Sequence, residues 1–436
     1  MLTKKVSMNK EFSRREFLNT AVAASLTASG MTQTTNKKPA PGPNDKIGVA
    51  FIGVGGQGTA NLNDFRKNPL CRVVAICDVY GPHQDKALKS LGEGVIGSTD
   101  YRHVLDRKDV DAVVISTPDH WHAIPAIEAC RAGKDVYVEK PVARTVAEGE
   151  AILRAARKYN RVVQVGTQQR SGKHFQDVVR YVRSGKLGKV DRVDTWILGG
   201  TRDLGHPADT PPPPDLDWDM WLGPAPKRAF NTALCPYNFR WFWDYAGGQM
   251  SNWGVHLLDI ARWAMNVSLP ERIEAVGGIF ATHDLRETPD TLDVAYTYPN
   301  GLVMTFWHRV GNALPPDGNP KHEIGIWFHG SNGDLFVDRN GWNVSARGAS
   351  TPSEQHGGSD QHPSHVNNFL ECVKSRKRPN SDIAIGQMST TLCHLGNIAY
   401  VVGQPLSWDS QNKMFTDNET ANALLRPVYR PPWKLG

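Results

Sequence analysis

Residues 46–78 read KIGVAFIGVGGQGTANLNDFRKNPLCRVVAICD, and their order decides the fold. A β-type apolar run, residues 46–52, leads straight into Gly53-Val54-Gly55-Gly56-Gln57-Gly58, the pattern G-x-G-x-x-G. A helix-type segment follows, with Leu62 and Phe65 three apart. A second apolar run, residues 72–77, then ends in Asp78, 20 residues past the third glycine. Each part has a physical task. Gly53 allows a tight turn, Gly55 lets the backbone approach a pyrophosphate, and Gly58 lets the helix pack close to the strand. The bare N–H groups and positive dipole end of the helix, at Gly56 and Gln57, face the phosphates. Asp78 can accept hydrogen bonds from both ribose hydroxyls and repels a 2′-phosphate, which favours NAD over NADP. Strand, glycines, helix, strand and acid in this order make a far more specific signal than the glycines alone.

The β/α alternation continues outward. Strands are expected at residues 112–116, 135–138 and 161–165, with helices at 121–132 and 146–158. Alternation of this kind predicts an α/β fold with a doubly wound parallel sheet, whose ligands bind beyond the carboxyl ends of the strands. Two loops at those ends carry chemistry. One is Thr117-Pro118-Asp119-His120-Trp121-His122 and the other is Glu139-Lys140-Pro141. Both are expected to face the nicotinamide, so Thr117, Pro118, His122, Glu139 and Lys140 join the glycines and Asp78 as cofactor-binding residues. His120 reads more readily as a packed side chain.

Together with Gly247-Gly248-Gln249-Met250-Ser251-Asn252-Trp253-Gly254-Val255-His256, these motifs resemble those of the Gfo/Idh/MocA oxidoreductases, from about residue 46 to the end. The resemblance implies a Rossmann domain (46–167) followed by a substrate-binding and oligomerisation domain (168–436), an α/β unit with a large, mostly antiparallel open sheet. It implies a catalytic lysine at Lys140 followed by a cis Pro141, and action on a hydroxyl or keto group of a sugar, glycoside or cyclitol. The family often assembles through the open sheet, so a homodimer or homotetramer is expected. Its second motif commonly reads Asp-x-x-x-His, whereas this chain has Asn252 and His256. The four-residue spacing puts the two on one helix face. Asn252 can bond a substrate hydroxyl, but it holds no charge and cannot raise a neighbour's pKa as Asp would. Lys140, His256 and Asn252 are therefore the expected catalytic group.

Strand-like alternation recurs at residues 190–198, 274–280, 291–298, 302–310, 323–329 and 334–339, with Asn300-Gly301 as a hairpin signal. Helical periodicity marks 365–376 and 385–401. Residues 237–245 are dense in aromatics, which serve either as core or as platforms for sugar faces; Tyr237 is expected at the substrate. Arg170 reads equally as a substrate contact or as half of a structural ion pair.

The chain has 436 residues, 40% of them hydrophobic and 22% charged, an ordinary globular composition. Its net charge is +6, of which +3 lies in residues 1–30, so the remainder is nearly neutral and no nucleic-acid partner is implied. No apolar run reaches the length of a membrane span. The six cysteines lack a C-x-x-C pair and read as small buried hydrophobes rather than metal ligands or a disulfide framework. Residues 1–30, with Ser13-Arg14-Arg15-Glu16-Phe17-Leu18 before a short apolar stretch, resemble a twin-arginine export signal, and 31–45 a linker. Export of a folded protein to the periplasm raises the expectation of a tightly held cofactor.

The expected activity is NAD-dependent oxidation or reduction of a carbohydrate. The alternatives are an NAD-dependent glycoside hydrolase or isomerase working through a transient ketone, and a non-catalytic carbohydrate-binding protein.

Overall fold

The computed structural model describes residues 45–199, 203–311, 314–316, 318–349 and 351–436. The expected twin-arginine leader (1–30) and nearly all of the expected linker (31–45) lie outside the described residues.

The first sheet has six strands, β1 (Ile47–Ile52), β2 (Cys71–Cys77), β3 (Ile96–Ser98), β4 (Ala112–Ile115), β5 (Asp135–Val138) and β6 (Val163–Val165). They pair in parallel in the order β3-β2-β1-β4-β5-β6. Helices on both faces bury β1 along its whole length, which explains its unbroken apolar run. The strand order reverses between β1 and β4, where a doubly wound sheet opens its crevice. The sequence reading had no element between residues 81 and 111. The structure places helices Gly81–Leu91 and Tyr101–Leu105 there, together with β3. At three partly exposed residues, Ile-Gly-Ser, β3 carries no periodic signal. The expected helix 121–132 is a 3-10 turn, Asp119–Trp121, followed by a helix over Ala123–Arg131.

The second sheet has ten strands, β7 (Val190–Leu198), β8 (Arg272–Gly278), β9 (Thr291–Thr297), β10 (Val303–Arg309), β11 (Ile324–Gly330), β12 (Gly333–Val337), β13 (Gly341–Ala346), β14 (Glu354–Gly357), β15 (Leu406–Asp409) and β16 (Met414–Phe415). All pairings are antiparallel except β7 with β10. The large, mostly antiparallel sheet expected from the resemblance is therefore present. Asn300-Gly301 turns β9 into β10, with Gly301 at φ +80°. In β9, Leu292, Val294 and Tyr296 are buried and alternate with part-exposed neighbours. These inward residues share a core with helices Lys173–Arg183, Val255–Met265 and Ile383–Val402.

The chain beyond residue 168 does not stay with the second sheet. Helix His362–Ser375 returns to the first, where Phe369 packs edge-on against Phe65 at 6.0 Å and Tyr137 at 5.8 Å. The carboxyl ends of β4 and β5 lie near the start of helix Val255–Met265, with the site between them. The six cysteines are buried and unpaired. Among the described residues no helix is long and apolar enough to cross a membrane.

Candidate active site

The glycine-rich turn leaves no room for a side chain at Gly53 or Gly58. Gly53 stands at φ +83°, and a Cβ there would lie 2.8 Å from the Ser116 and Thr117 backbone. A Cβ on Gly58 would lie 2.1 Å from the Gly53 carbonyl oxygen. At Gly55 the direction of the missing Cβ points to the His83 ring, and at Gly56 to Tyr237. Asp78 is pinned at the end of β2: its Oδ2 accepts from Val54 N–H at 2.8 Å and its Oδ1 from Tyr80 N–H at 3.0 Å. Helix Gly56–Phe65 starts bare, with no side-chain cap on its first N–H groups. A cavity of about 1030 Å³ runs from this turn to helix Val255–Met265, lined by Gly53, Gly55, Gly56, Gln57, Asp78, Thr117, Pro118, Glu139, Lys140, Asn252 and His256 among others. Bare N–H groups, two glycines cramped against backbone and an acid at the neighbouring strand end fit a dinucleotide.

At the other end of the cavity stands Lys140, ahead of a cis peptide to Pro141. Its Nζ donates to the Asn252 side-chain Oδ1 at 2.9 Å and to the Asn252 backbone carbonyl at 3.0 Å. Asn252 Nδ2 donates in turn to Gln249 Oε1 at 2.9 Å. The ammonium form can only donate, so with Lys140 charged the amide oxygen of Asn252 must face it. Met250–Gly254 is wound as a π-turn rather than the regular helix expected from the four-residue spacing. Such turns recur at functional sites. Here Asn252 presents both its side chain and its carbonyl to Lys140.

Burial pushes the Lys140 ammonium down to about 8, against the pull of Glu139 and Asp119. Burial raises Asp119 to about 7, with Lys140 and Arg240 opposing. Burial, then the charge of Lys140 and Arg339, holds His256 well below its ordinary value, so its imidazole is neutral at pH 7. His256 Nδ1 is buried without a partner. The cavity therefore combines a lysine poised near its titration point, a neutral imidazole and a carboxyl group close to half-protonated. This set can hold a hydroxyl and move its proton.

One expected site residue, Arg170, is corrected, and the structure gives Tyr237, His122 and Glu139 particular surroundings. Arg170 does not line the cavity; its Nε and Nη2 bond both oxygens of buried Asp259 at 2.7 and 3.0 Å, the structural alternative. Tyr237, expected at the substrate, lies with Cε2 3.2 Å from the Cβ position of Gly56, over the phosphate-binding turn. His122 lines the cavity, but its nitrogens face the Pro141 carbonyl at 2.7 Å and the Thr117 carbonyl at 2.9 Å, so it ties the two loops together. Burial drives His122 down to about 4, so the ring is neutral and only one nitrogen donates. Glu139 accepts from Asn61 Nδ2 at 3.0 Å and from its neighbour's amide at 3.2 Å, and it anchors the Lys140 loop rather than offering a free acceptor. His120 is core, wedged among Trp121, Trp221 and Tyr245.

Sequence reasoning did not single out Asp119, Arg240, Trp253, Arg339 or His362, which also line the cavity. Asp119 stood inside the quoted loop, so its place at a strand end was an available signal. Arg339 and His362 are remote in sequence, and only the tertiary fold brings them in.

Fold and site together define a dinucleotide-dependent oxidoreductase. Residues 47–167 match the oxidoreductase-family NAD-binding Rossmann fold and residues 196–435 match that family's C-terminal alpha/beta domain, so the chain belongs to the Gfo/Idh/MocA oxidoreductase family. Over 201 residues it is 31% identical to a glycosyl hydrolase family 109 protein of Shewanella sp. (strain W3-18-1), a match that takes in 41% of this chain and only 44% of that relative's length. The WlbA dehydrogenase of Bordetella pertussis, solved in complex with NADH and UDP-GlcNAcA, aligns with a TM-score of 0.65 at 19% identity over 84% of this chain and 99% of its own. The aldose-aldose oxidoreductase of Caulobacter crescentus, complexed with glycerol, gives 0.64 at 22% identity over 83% and 99%. At these identities the likeness is one of fold.

The acid at the end of β2 gives a first prediction. Asp78→Asn keeps an acceptor for Val54 N–H but removes the charge that repels a 2′-phosphate. The preference for NAD over NADP, read by calorimetric titration of the apoprotein, is expected to fall about tenfold or more. An unchanged ratio would count against this role.

Proposed function

We propose that this chain oxidises or reduces a hydroxyl or keto group of a sugar, glycoside or cyclitol with NAD held in the cleft. The observation that carries the reading is Lys140 Nζ, fixed by both oxygens of Asn252 beside a neutral His256. A bound nicotinamide supplies hydride exchange at the carbinol carbon. The chain supplies the rest. Lys140 as ammonium donates to the substrate oxygen and polarises it; as amine it accepts the hydroxyl proton. Neutral His256 is the second acceptor, and the charge of Asp119, when ionised, favours the ammonium form of Lys140. Asn252 orients Lys140 without neutralising it.

Incubating the purified protein with a glycoside panel and weighing the products by mass spectrometry tests this. A keto or hydroxy product is expected, and a panel returned intact would overturn the reading. The match to proteins named glycosyl hydrolases favours one second reading, net hydrolysis. A transient ketone acidifies the adjacent C–H, the glycosidic oxygen leaves by elimination, water adds and the ketone is reduced again. A released aglycone without net oxidation would select it. Under either reading the leader implies export with the cofactor aboard. Protein purified from the periplasm without bound NAD would count against that. Assembly as a homodimer or homotetramer, which light scattering would measure, completes the proposal.

Asn252→Asp places a carboxylate on the ammonium. Opposite charge favours the protonated lysine, so its pKa rises. The limb of the pH–kcat/KM profile for oxidation, expected near pH 8 in the native enzyme, should move up by about one unit or more. A superimposable profile would remove Lys140 from the proton step.

A further inference from the structure

We propose that the saccharide end of the cavity is built for an anionic substituent, a carboxylate or an acidic ester, received by Arg339. The inference rests on the carbohydrate reading above and narrows its substrate class.

Arg339 follows β12 and lines the cavity. Its guanidinium lies over the Trp253 ring at 4.5 Å, and Trp253 meets His256 edge-on at 5.8 Å. The cation is thus held beside the reacting groups, and its charge is felt at both Lys140 and His256. Among the described residues no carboxylate lies within ion-pair reach of it, and its Nε is buried with no partner. The adjacent acid, Asp338, is turned away: it accepts from the Asn340 backbone at 2.8 Å, the Asn340 side chain at 2.9 Å and Gly341 N–H at 3.0 Å. Two buried arginines of the chain are paired with acids. Arg170 is paired with Asp259, and Arg286 with Asp284 at 2.7 Å.

An enclosed guanidinium without a counter-charge is costly. Burial lowers the pKa of Arg339, and no acid offsets the shift. The Trp253 ring face holds the guanidinium carbon at 4.5 Å and offers its N–H donors no acceptor, so they are left for a ligand. A planar donor fork of this kind matches carboxylate and ester oxoanions, and a lone hydroxyl uses little of it. Because Lys140 and His256 hold the reacting oxygen, the anionic group belongs on the same sugar residue or the one next to it.

The test is calorimetric titration of the full chain with its cofactor bound, which reads binding without turnover. The ligands are methyl glucuronide and galacturonide, the 6-sulfates of methyl glucoside and galactoside, and the neutral methyl glycosides. At least one anionic member is expected to bind about tenfold or more tightly than its neutral counterpart. Uronides or sulfates, whichever lead, identify the source of the anion. Arg339→Met, which keeps the stem on Trp253, should erase the difference, and Arg339→Lys should keep part of it. Equal affinities, binding by neutral members alone, no binding by any member, or a preference that survives Arg339→Met would each overturn the proposal. Anion-selective binding without a keto, hydroxy or hydrolysed product would instead uphold this subsite and sink the proposed activity.

Discussion

Replacing Lys140 with methionine is expected to lower kcat about 10²–10⁴-fold on any saccharide the native enzyme turns over. Methionine keeps a long apolar stem and loses both the donor and the titratable nitrogen. Asn252 Oδ1 and the Asn252 carbonyl, which now accept from Nζ, are left facing a thioether. The substrate oxygen then has neither a cation to polarise it nor an amine to take its proton. Arg at this position separates the two roles. It keeps the charge but cannot deprotonate, so Lys140→Arg should restore some substrate affinity and little turnover. The direction with pH follows from a lysine held near 8. Oxidation needs the amine, so its kcat/KM should rise as pH climbs through that value; reduction needs the ammonium and should fall. Near-normal turnover in Lys140→Met, measured at 340 nm or by product mass, would sink the mechanism.

The parts of this site that could be read in the sequence are those in which chain neighbours do the chemistry. Gly53 to Gly58, Asp78, and the loops at 117–122 and 139–141 all sit at carboxyl ends of neighbouring parallel strands, so local order was enough to place them. What lay between them was harder. Glu139 and His122 fall in the right loops, yet Glu139 accepts from Asn61 and the His122 nitrogens face two carbonyls; a motif shows position, not what each polar atom faces. Asn252 and His256 were placed on one helix face, but the π-turn that directs the Asn252 carbonyl to Lys140 depends on packing and leaves no periodic trace. Arg170 had two readings, and only Asp259, from a helix 89 residues on, decides between them. Arg339 reaches the cavity from the second sheet, and nothing around it in the sequence marks it.

The glycines show the same division in energetic form, and the second large effect is expected there. By pattern Gly56 and Gly58 look alike. In the structure they do not. A Cβ on Gly56 would meet only Cε2 of Tyr237 at 3.2 Å, the edge of a ring that is 60% exposed and free to swing aside. A Cβ on Gly58 would lie 2.1 Å from the Gly53 carbonyl oxygen and 2.9 Å from its carbon, both backbone. Gly53 has little room to retreat, because even a Cβ built on it would lie 2.8 Å from the Ser116–Thr117 peptide. The helix must therefore move off the strand, carrying the bare N–H groups of its first turn away from the phosphates they should meet. Gly58→Ala is expected to weaken NAD binding by about 100-fold or more, the scale of an overpacked contact that cannot relax. Gly56→Ala should stay within about tenfold of the native affinity, since a side chain gives way more cheaply than backbone. Titration of both apoproteins with NAD, with circular dichroism to show that each has folded, decides the matter. Equal losses in the two variants would mean that the turn yields as a unit and that the close approach of Gly58 to Gly53 is not what holds the phosphate site in place.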